Sequence, residues 1–315
     1  MITYLARRIG AMLATLFVAS FVVYGALYLA PGDPVSTLIS GNVVTPELIA
    51  SVREQYGLDR PFLVRYGEWL GGMFTGDFGQ SLRFQQDVSA LMASRLPTTL
   101  LLVVMAGTLT VVAGIALGSI SALRPGPVDR TVLNATSFVA ALPVFVTAFA
   151  FLFIFGVKLR WFPVSGGGDS LGDHIFHLIL PSVTLAFALT ALITRVTRAS
   201  VKEQMVSEHV AVAEGRGVSG LKLYSRHVFR NALTPILTQS GIVIAGLLVS
   251  SQIVEVAFGL DGLGSLLVQS VQNMDFPVVQ AITLLVVFAY VFTNMVIDFL
   301  LPLIDPRIQI GGRSQ

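Results

Sequence analysis

Apolar residues gather into six long runs separated by polar connections: Ile9–Ala30, Thr98–Leu123, Thr131–Val157, Ile175–Thr194, Pro235–Val254 and Val278–Leu301. A helix needs about 20 residues to cross the roughly 30 Å hydrocarbon core of a bilayer, and each run is long enough. The first five contain no Asp, Glu, Lys or Arg, and the sixth contains Asp298 near its end. The pattern predicts an all-α, polytopic membrane protein with six transmembrane helices. Composition strengthens this reading. Hydrophobic residues make up 54% of the 315 positions and charged residues 12%, about half the charged share of a soluble domain. The two soluble domains that length alone would suggest are therefore excluded.

Arg7 and Arg8 precede the first run, as in a signal peptide. The run is 22 residues long and ends in Pro31-Gly32-Asp33-Pro34 without a small-residue cleavage site, so it is expected to be retained as the first span. Orientation follows the distribution of Lys and Arg. With the N-terminus inside, thirteen basic residues face inward: Arg7, Arg8, Arg124, Arg130, Arg195, Arg198, Lys202, Arg216, Lys222, Arg226, Arg230, Arg307 and Arg313. The short outer connections hold only Lys158 and Arg160, while residues 31–97 are long enough to be exported despite their five arginines. Both termini are expected in the cytoplasm of a cell with an inner or plasma membrane of bacterial or archaeal type. The chain divides into residues 1–30, an extracytoplasmic segment 31–97, spans at 98–194, a cytoplasmic connection 195–234, and residues 235–315.

The outer segment carries helix signals. Thr45 can cap a helix, Pro46 suits its first position and Gly57 its end, with Leu48, Ile49, Val52 and Tyr56 as an apolar stripe. A second amphipathic piece runs from Pro61 to Leu70 through Phe62, Tyr66 and Trp69. Two readings stay open: a small cap on the membrane surface, or a docking element for an extracytoplasmic partner.

The longest inner connection, residues 195–233, has seven basic and three acidic residues. Val201, Met205 and Val212 suggest a helical stripe that Gly215 and Gly217 end. Ser219 can start a second helix, with Leu221, Tyr224 and Val228 on one side. Within it, Glu208-His209-Val210-Ala211-Val212-Ala213-Glu214-Gly215-Arg216-Gly217-Val218 resembles the cytoplasmic "EAA" loop of binding-protein-dependent ABC importers, in the form found in the dipeptide/oligopeptide/nickel permease family. Arg226-His227-Val228-Phe229-Arg230-Asn231-Ala232-Leu233-Thr234-Pro235 is similar to the stretch that follows it in that family. Ala30-Pro31-Gly32-Asp33-Pro34, Tyr56-Gly57-Leu58-Asp59, Gly76-Asp77-Phe78-Gly79, Trp161-Phe162-Pro163-Val164-Ser165-Gly166, Asp275-Phe276-Pro277-Val278-Val279 and Asp305-Pro306-Arg307 also fit, in order. Ala211 and Arg230 depart from the general loop in ways that favour the peptide subfamily; Glu214 stands where relatives are often basic.

The resemblance implies a type I ABC importer permease fold and a non-catalytic subunit that forms half of a translocation pathway. It implies as partners a second homologous permease, two ABC ATPase subunits that bind ATP and Mg, an extracytoplasmic solute-binding protein and the lipid bilayer, with no nucleic acid. No cofactor is expected in this chain. The ATPase would be received at Glu208, His209, Ala211, Ala213, Glu214, Gly215, Arg216 and Gly217, where small residues such as Ala213 and Gly217 allow close approach. Di- or oligopeptide is the expected cargo, with nickel chelates or another small solute as alternatives.

Two other classes compete. An ion-coupled carrier would show ionisable groups or broken helices at mid-membrane, and a membrane enzyme would show clustered catalytic groups. Asp298 and Asn294, four residues apart, are the candidates for such a role and are read as structural or gating. Gly215–Gly220 matches GxGxxG literally, but a dinucleotide site requires a preceding strand, and Leu221 stands where a P-loop needs Lys. The chain has no Cys, which excludes disulfides and thiol chemistry. Four scattered His give no metal-ligand spacing. Gly114 and Gly118 form a GxxxG read as helix packing, and Pro143 and Pro181, within spans three and four, either kink their helices or are tolerated where neighbours satisfy the backbone.

Overall fold

The computed structural model describes residues 2–29, 60–168 and 170–304. Its elements are α1 (Ile2–Leu29), α2 (Phe62–Thr75), α3 (Val88–Leu123), α4 (Pro127–Ala141), α5 (Val144–Phe151), α6 (Leu171–Met205), α7 (Glu208–Gly215), α8 (Gly220–Leu223), α9 (Arg230–Ala257), α10 (Leu263–Gln272) and α11 (Phe276–Ile304). Two π-helical stretches, Leu152–Lys158 after α5 and Tyr224–Phe229 between α8 and α9, continue their neighbours. Among the described residues the only extended pairing is a lone bridge between Gln80 and Asp87.

Among the described residues, five helices are long and apolar enough to cross a membrane: Ala6–Ala26, Val88–Leu123, Leu171–Met205, Gly220–Ala257 and Phe276–Ile297. The third run, expected as one continuous span, is instead two helices, Pro127–Ala141 and Val144–Lys158, bent by 99°. The break follows from proline geometry. Pro143 has no N–H to donate, and its ring drives the residue before it out of the helical region. Leu142 accordingly has φ −79 and ψ 128. Pro97, Pro181 and Pro235 lie inside continuous helices.

The chain forms two compact units. One comprises Leu100–Leu260 and the residues from Tyr290 onward. Its largest core joins Leu102, Leu178, Leu185, Leu247, Val254 and Phe258. Gly114 and Gly118 set α3 directly against α6: a Cβ on either would lie 2.5 Å from the Cβ of Ile193 or Thr197. The GxxxG spacing thus serves close helix contact.

The other unit comprises Ile2–Thr99 and Asp261–Ala289. Val88, Leu91, Met92, Leu263, Leu266, Val278 and Ile282 form its core. Asp275 is fully buried, and its carboxylate accepts from the Ser81 hydroxyl and from the N–H groups of Leu82 at 3.1 Å and Arg83 at 3.2 Å. A buried carboxylate needs such donors, and three of them satisfy this one. The amphipathic piece predicted from Pro61 is α2, which runs on to Thr75. Its apolar face is taken up by α1. Tyr66 shares a 2.8 Å hydrogen bond with Ser20 and meets Phe17, Phe21 and Tyr24 ring against ring, while Phe62 and Trp69 flank Tyr24. The helix predicted over Thr45–Gly57, and the motifs at Ala30–Pro34, Tyr56–Asp59 and Asp305–Arg307, lie outside the described residues.

Candidate functional site: the α6–α9 connection

The α6–α9 connection is built from short pieces whose ends the sequence dictates. Helix α6 stops at Met205, and Ser207 takes an extended conformation that opens α7, with Glu208 in its first turn, where a carboxylate suits the positive helix end. The Ser207 hydroxyl donates back to the Gln204 carbonyl at 2.6 Å. Eight residues later α7 ends at Gly215. Gly217 adopts φ +81, and the Val218 N–H returns to the Ala213 carbonyl at 3.1 Å. This left-handed C-terminal turn suits glycine.

Two small side chains hold α7 down. Val210 and Ala213 are buried, and Val210 joins Ala122 of α3, Val201 of α6, and Val228, Ala232 and Ile236 in one apolar cluster. The stripe predicted through Val201, Met205 and Val212 does not hold. Val201 is buried, but Met205, the last residue of α6, is exposed, and Val212, which lies beyond the helix break at Val206-Ser207, is exposed as well. On the following segment Val228 is buried and Tyr224 donates to Ser119 Oγ at 2.7 Å, but Leu221 faces outward.

Among the expected docking residues, Glu208, His209, Ala211, Glu214, Gly215, Arg216 and Gly217 are exposed. Ala213 is not: it faces the chain's own core, so its small size serves internal packing, contrary to the expected close approach to a partner. His209 is also tied inward. Its Nε2 donates to the His227 carbonyl at 3.0 Å in one tautomer and accepts from Asn231 Nδ2 at 3.1 Å in the other. Asn231 Nδ2 donates to the same carbonyl at 2.7 Å. That carbonyl lies within the π-helical stretch, a local widening often found at functional sites.

The sequence reading missed three exposed aliphatic side chains here. Val206 is 87% exposed, Leu221 80% and Val212 54%. Arg216, Lys222, Arg226 and Arg230, in the same stretch of sequence, are also exposed. Exposed aliphatic residues on a polar, charged connection are a feature that sites of protein contact often present. Val212 and Leu221 had been placed on the predicted stripes, so only Val206, which fell outside them, carried a signal in the sequence.

A second feature went unread. Asp129, in the first turn of α4, is buried. It accepts from Arg198 Nε at 2.5 Å and Nη2 at 2.7 Å, from Lys202 Nζ at 2.8 Å, and from the Ser121 hydroxyl. It thereby joins α3, α4 and the end of α6. Glu255, one residue past the fifth predicted span, lies in α9 and is fully buried.

Asn294 lies on α11, where its Nδ2 donates to the Tyr290 carbonyl one turn back at 2.8 Å. Asp298 lies on the same helix, with its side chain outside the described residues. The Gly215–Gly220 stretch joins α7 to α8, so no strand feeds it. Among the described residues no group of three or more His, Cys, Asp or Glu side chains could hold a metal ion.

These features define a multi-pass helical membrane component that exposes a short helix between two of its spans. The sequence matches the family described as "Binding-protein-dependent transport system inner membrane component" over residues 114–310, and that family's N-terminal membrane component over residues 1–103. The chain belongs to this family. It is 33% identical over 310 residues to a probable peptide ABC transporter permease protein of Sinorhizobium fredii, covering 97% of this chain and 99% of that one. It is 35% identical over 307 residues to a putative peptide transport system permease protein of Brucella abortus, covering 96% and 98%. It is 34% identical over 310 residues to a glutathione transport system permease protein of Escherichia coli, covering 98% and 99%. Among solved structures, an inward-facing MetNI methionine ABC transporter matches with a TM-score of 0.56 at 16% identity, over 68% of this chain and 96% of that one. That last likeness shows the fold alone.

Proposed function

We propose that this chain is the permease subunit of an ATP-driven importer for di- or oligopeptides. It pairs with a second permease, with two separate ATPase subunits that bind ATP and Mg, and with an extracytoplasmic binding protein that delivers cargo. Both termini and α7 face the cytoplasm. The ATPase grips α7 at Glu208, His209, Ala211, Glu214, Gly215, Arg216 and Gly217. The single observation behind this reading is the composition of the α6–α9 surface: Val206, Val212 and Leu221 stand exposed, in the same stretch of sequence as four exposed basic residues. Peptide as cargo is supported by relatives named as peptide permeases that align along nearly the whole chain.

Mechanically, the ATPase needs a grip that differs between its nucleotide states, since a ligand shifts an equilibrium only through differential contacts. A helix held on one side by Val210 and exposed on the other presents such a grip. The surrounding arginines and Lys222 orient the approach of an acidic cleft.

The absence of native Cys makes the test clean. A Gly215→Cys variant, expressed with its native partners and treated with a thiol cross-linker on inside-out vesicles, is expected to join a nucleotide-hydrolysing subunit. The same vesicles, loaded with binding protein, are expected to move peptides only with ATP. Labelling of Gly215→Cys from the cell exterior, or uptake that persists after ATP depletion, overturns the proposal and favours an ion-coupled carrier.

A further inference from the structure

The Asp129 cluster has no part in gripping an ATPase, yet it stands where force from α7 has to pass. Arg198 and Lys202 are one turn apart on α6 and bracket Val201, which is fully buried in the same apolar cluster as Val210 of α7. Helix α6 ends three residues after Lys202, and α7 begins three residues further on. Any displacement of α7 therefore acts on the end of α6. Asp129 ties that end to α4 through a bidentate contact with Arg198 and a third contact with Lys202, and to α3 through Ser121. Arg195 Nη2 adds a 3.0 Å contact to Ser137, two turns further along α4. Helix α4 in turn leads into the 99° break and α5.

We infer that Asp129 is a positioning residue of the transport cycle, joining α4 to the α6 end so that motion received at α7 reaches the broken span. The inference rests on the proposed docking of an ATPase at α7. The chemistry suits a rigid link. A planar guanidinium held by both carboxylate oxygens fixes orientation as well as distance, which a single apolar contact cannot do. Ala122, beside Ser121, belongs to the same apolar cluster as Val210. The polar clip and the apolar cluster thus sit on adjoining faces of one block.

The anion faces two cations. Its removal leaves Arg198 and Lys202 close together without a counter-charge, and both are partly withdrawn from solvent. Asp129→Asn alone therefore combines loss of the link with repulsion. Asp129→Asn together with Arg198→Gln removes the repulsion and the link at once.

The experiment uses the complete transporter, purified through a tag on this chain and reconstituted with loaded binding protein. Peptide imported per ATP hydrolysed is compared across the parent, Asp129→Asn, the double variant and Asp129→Glu. Hydrolysis is expected to continue in both Asn variants while import per ATP falls about tenfold, the scale of an ordinary coupling free energy. Asp129→Glu, which keeps the charge, is expected to recover part of that loss. Import per ATP within twofold of the parent in the assembled double variant overturns the inference, and so does failure of both Asn variants to assemble, since that assigns the cluster to folding. The Gly215→Cys cross-link, introduced into each preparation, separates the two ideas. Its absence in the parent background sinks the docking proposal, whereas normal cross-linking with unchanged coupling sinks only the role of Asp129.

Discussion

Helices α2 and α7 are both short pieces lying in the polar connections between spans, and they are fastened in opposite ways. Helix α2 sinks Tyr66 into an aromatic cluster, with Phe17, Phe21, Tyr24, Phe62 and Trp69 meeting ring to ring and a hydrogen bond to Ser20 closing the contact. Helix α7 buries only Val210 and Ala213 among its eight residues, adds a hydrogen-bonding contact from His209 to the segment that follows, and leaves its aliphatic neighbours outside. Large aromatic contacts of specific geometry resist displacement, whereas two small side chains set position with little grip to spare. The difference separates an element fixed firmly to the fold from one held to it by little buried surface.

Substitutions at three positions break or sharpen this contrast. The largest effect is expected from Tyr66→Ala, which empties a buried aromatic site and should cost about 3 kcal/mol of stability. Tyr66→Phe removes only the Ser20 hydrogen bond and should cost about 1 kcal/mol. Thermal unfolding in detergent reads both, and equal losses would show that the rings contribute little. Next, Val212→Asp puts a charge on the exposed face of α7. It should leave unfolding unchanged while weakening ATPase association by about 2 kcal/mol, or roughly thirtyfold. A pull-down titration reads this, and a matching loss of stability would mean that Val212 belongs to the fold. The smallest effect is expected from Gly217→Leu. Its Cβ meets nothing within 4 Å, so crowding is no obstacle, but the left-handed backbone should cost about 1 kcal/mol. Gly217→Asn, which tolerates that conformation better, should cost less, and a reversed order would point to contact with a partner.

The spans were legible because the bilayer admits few solutions: with no water to satisfy the backbone, apolar runs of that length become helices. The broken third span was not legible, since Pro143, Pro97, Pro181 and Pro235 look alike in sequence and only the first interrupts its helix. The α6–α9 connection was recognisable from its ordered motifs, but not the faces of its helices. Eight residues are too few for a periodic pattern, and Ala213 reads equally well as inward or outward. The Asp129 cluster was out of reach for another reason: Arg198 lies 69 residues away from it along the chain. The Tyr66 contact to Ser20 spans 46 residues, and no local rule links such pairs.

The break at Leu142–Pro143 carries a further consequence. It falls near the middle of the third apolar run, where the last carbonyls of α4 and the first N–H groups of α5 lose the partners that an unbroken helix supplies. Hydrocarbon offers them nothing, so this corner of the chain must be turned toward neighbouring protein or toward a wet interior. A solvent-filled vestibule bordered by these peptide groups would give passing amides something to exchange hydrogen bonds with on their way through.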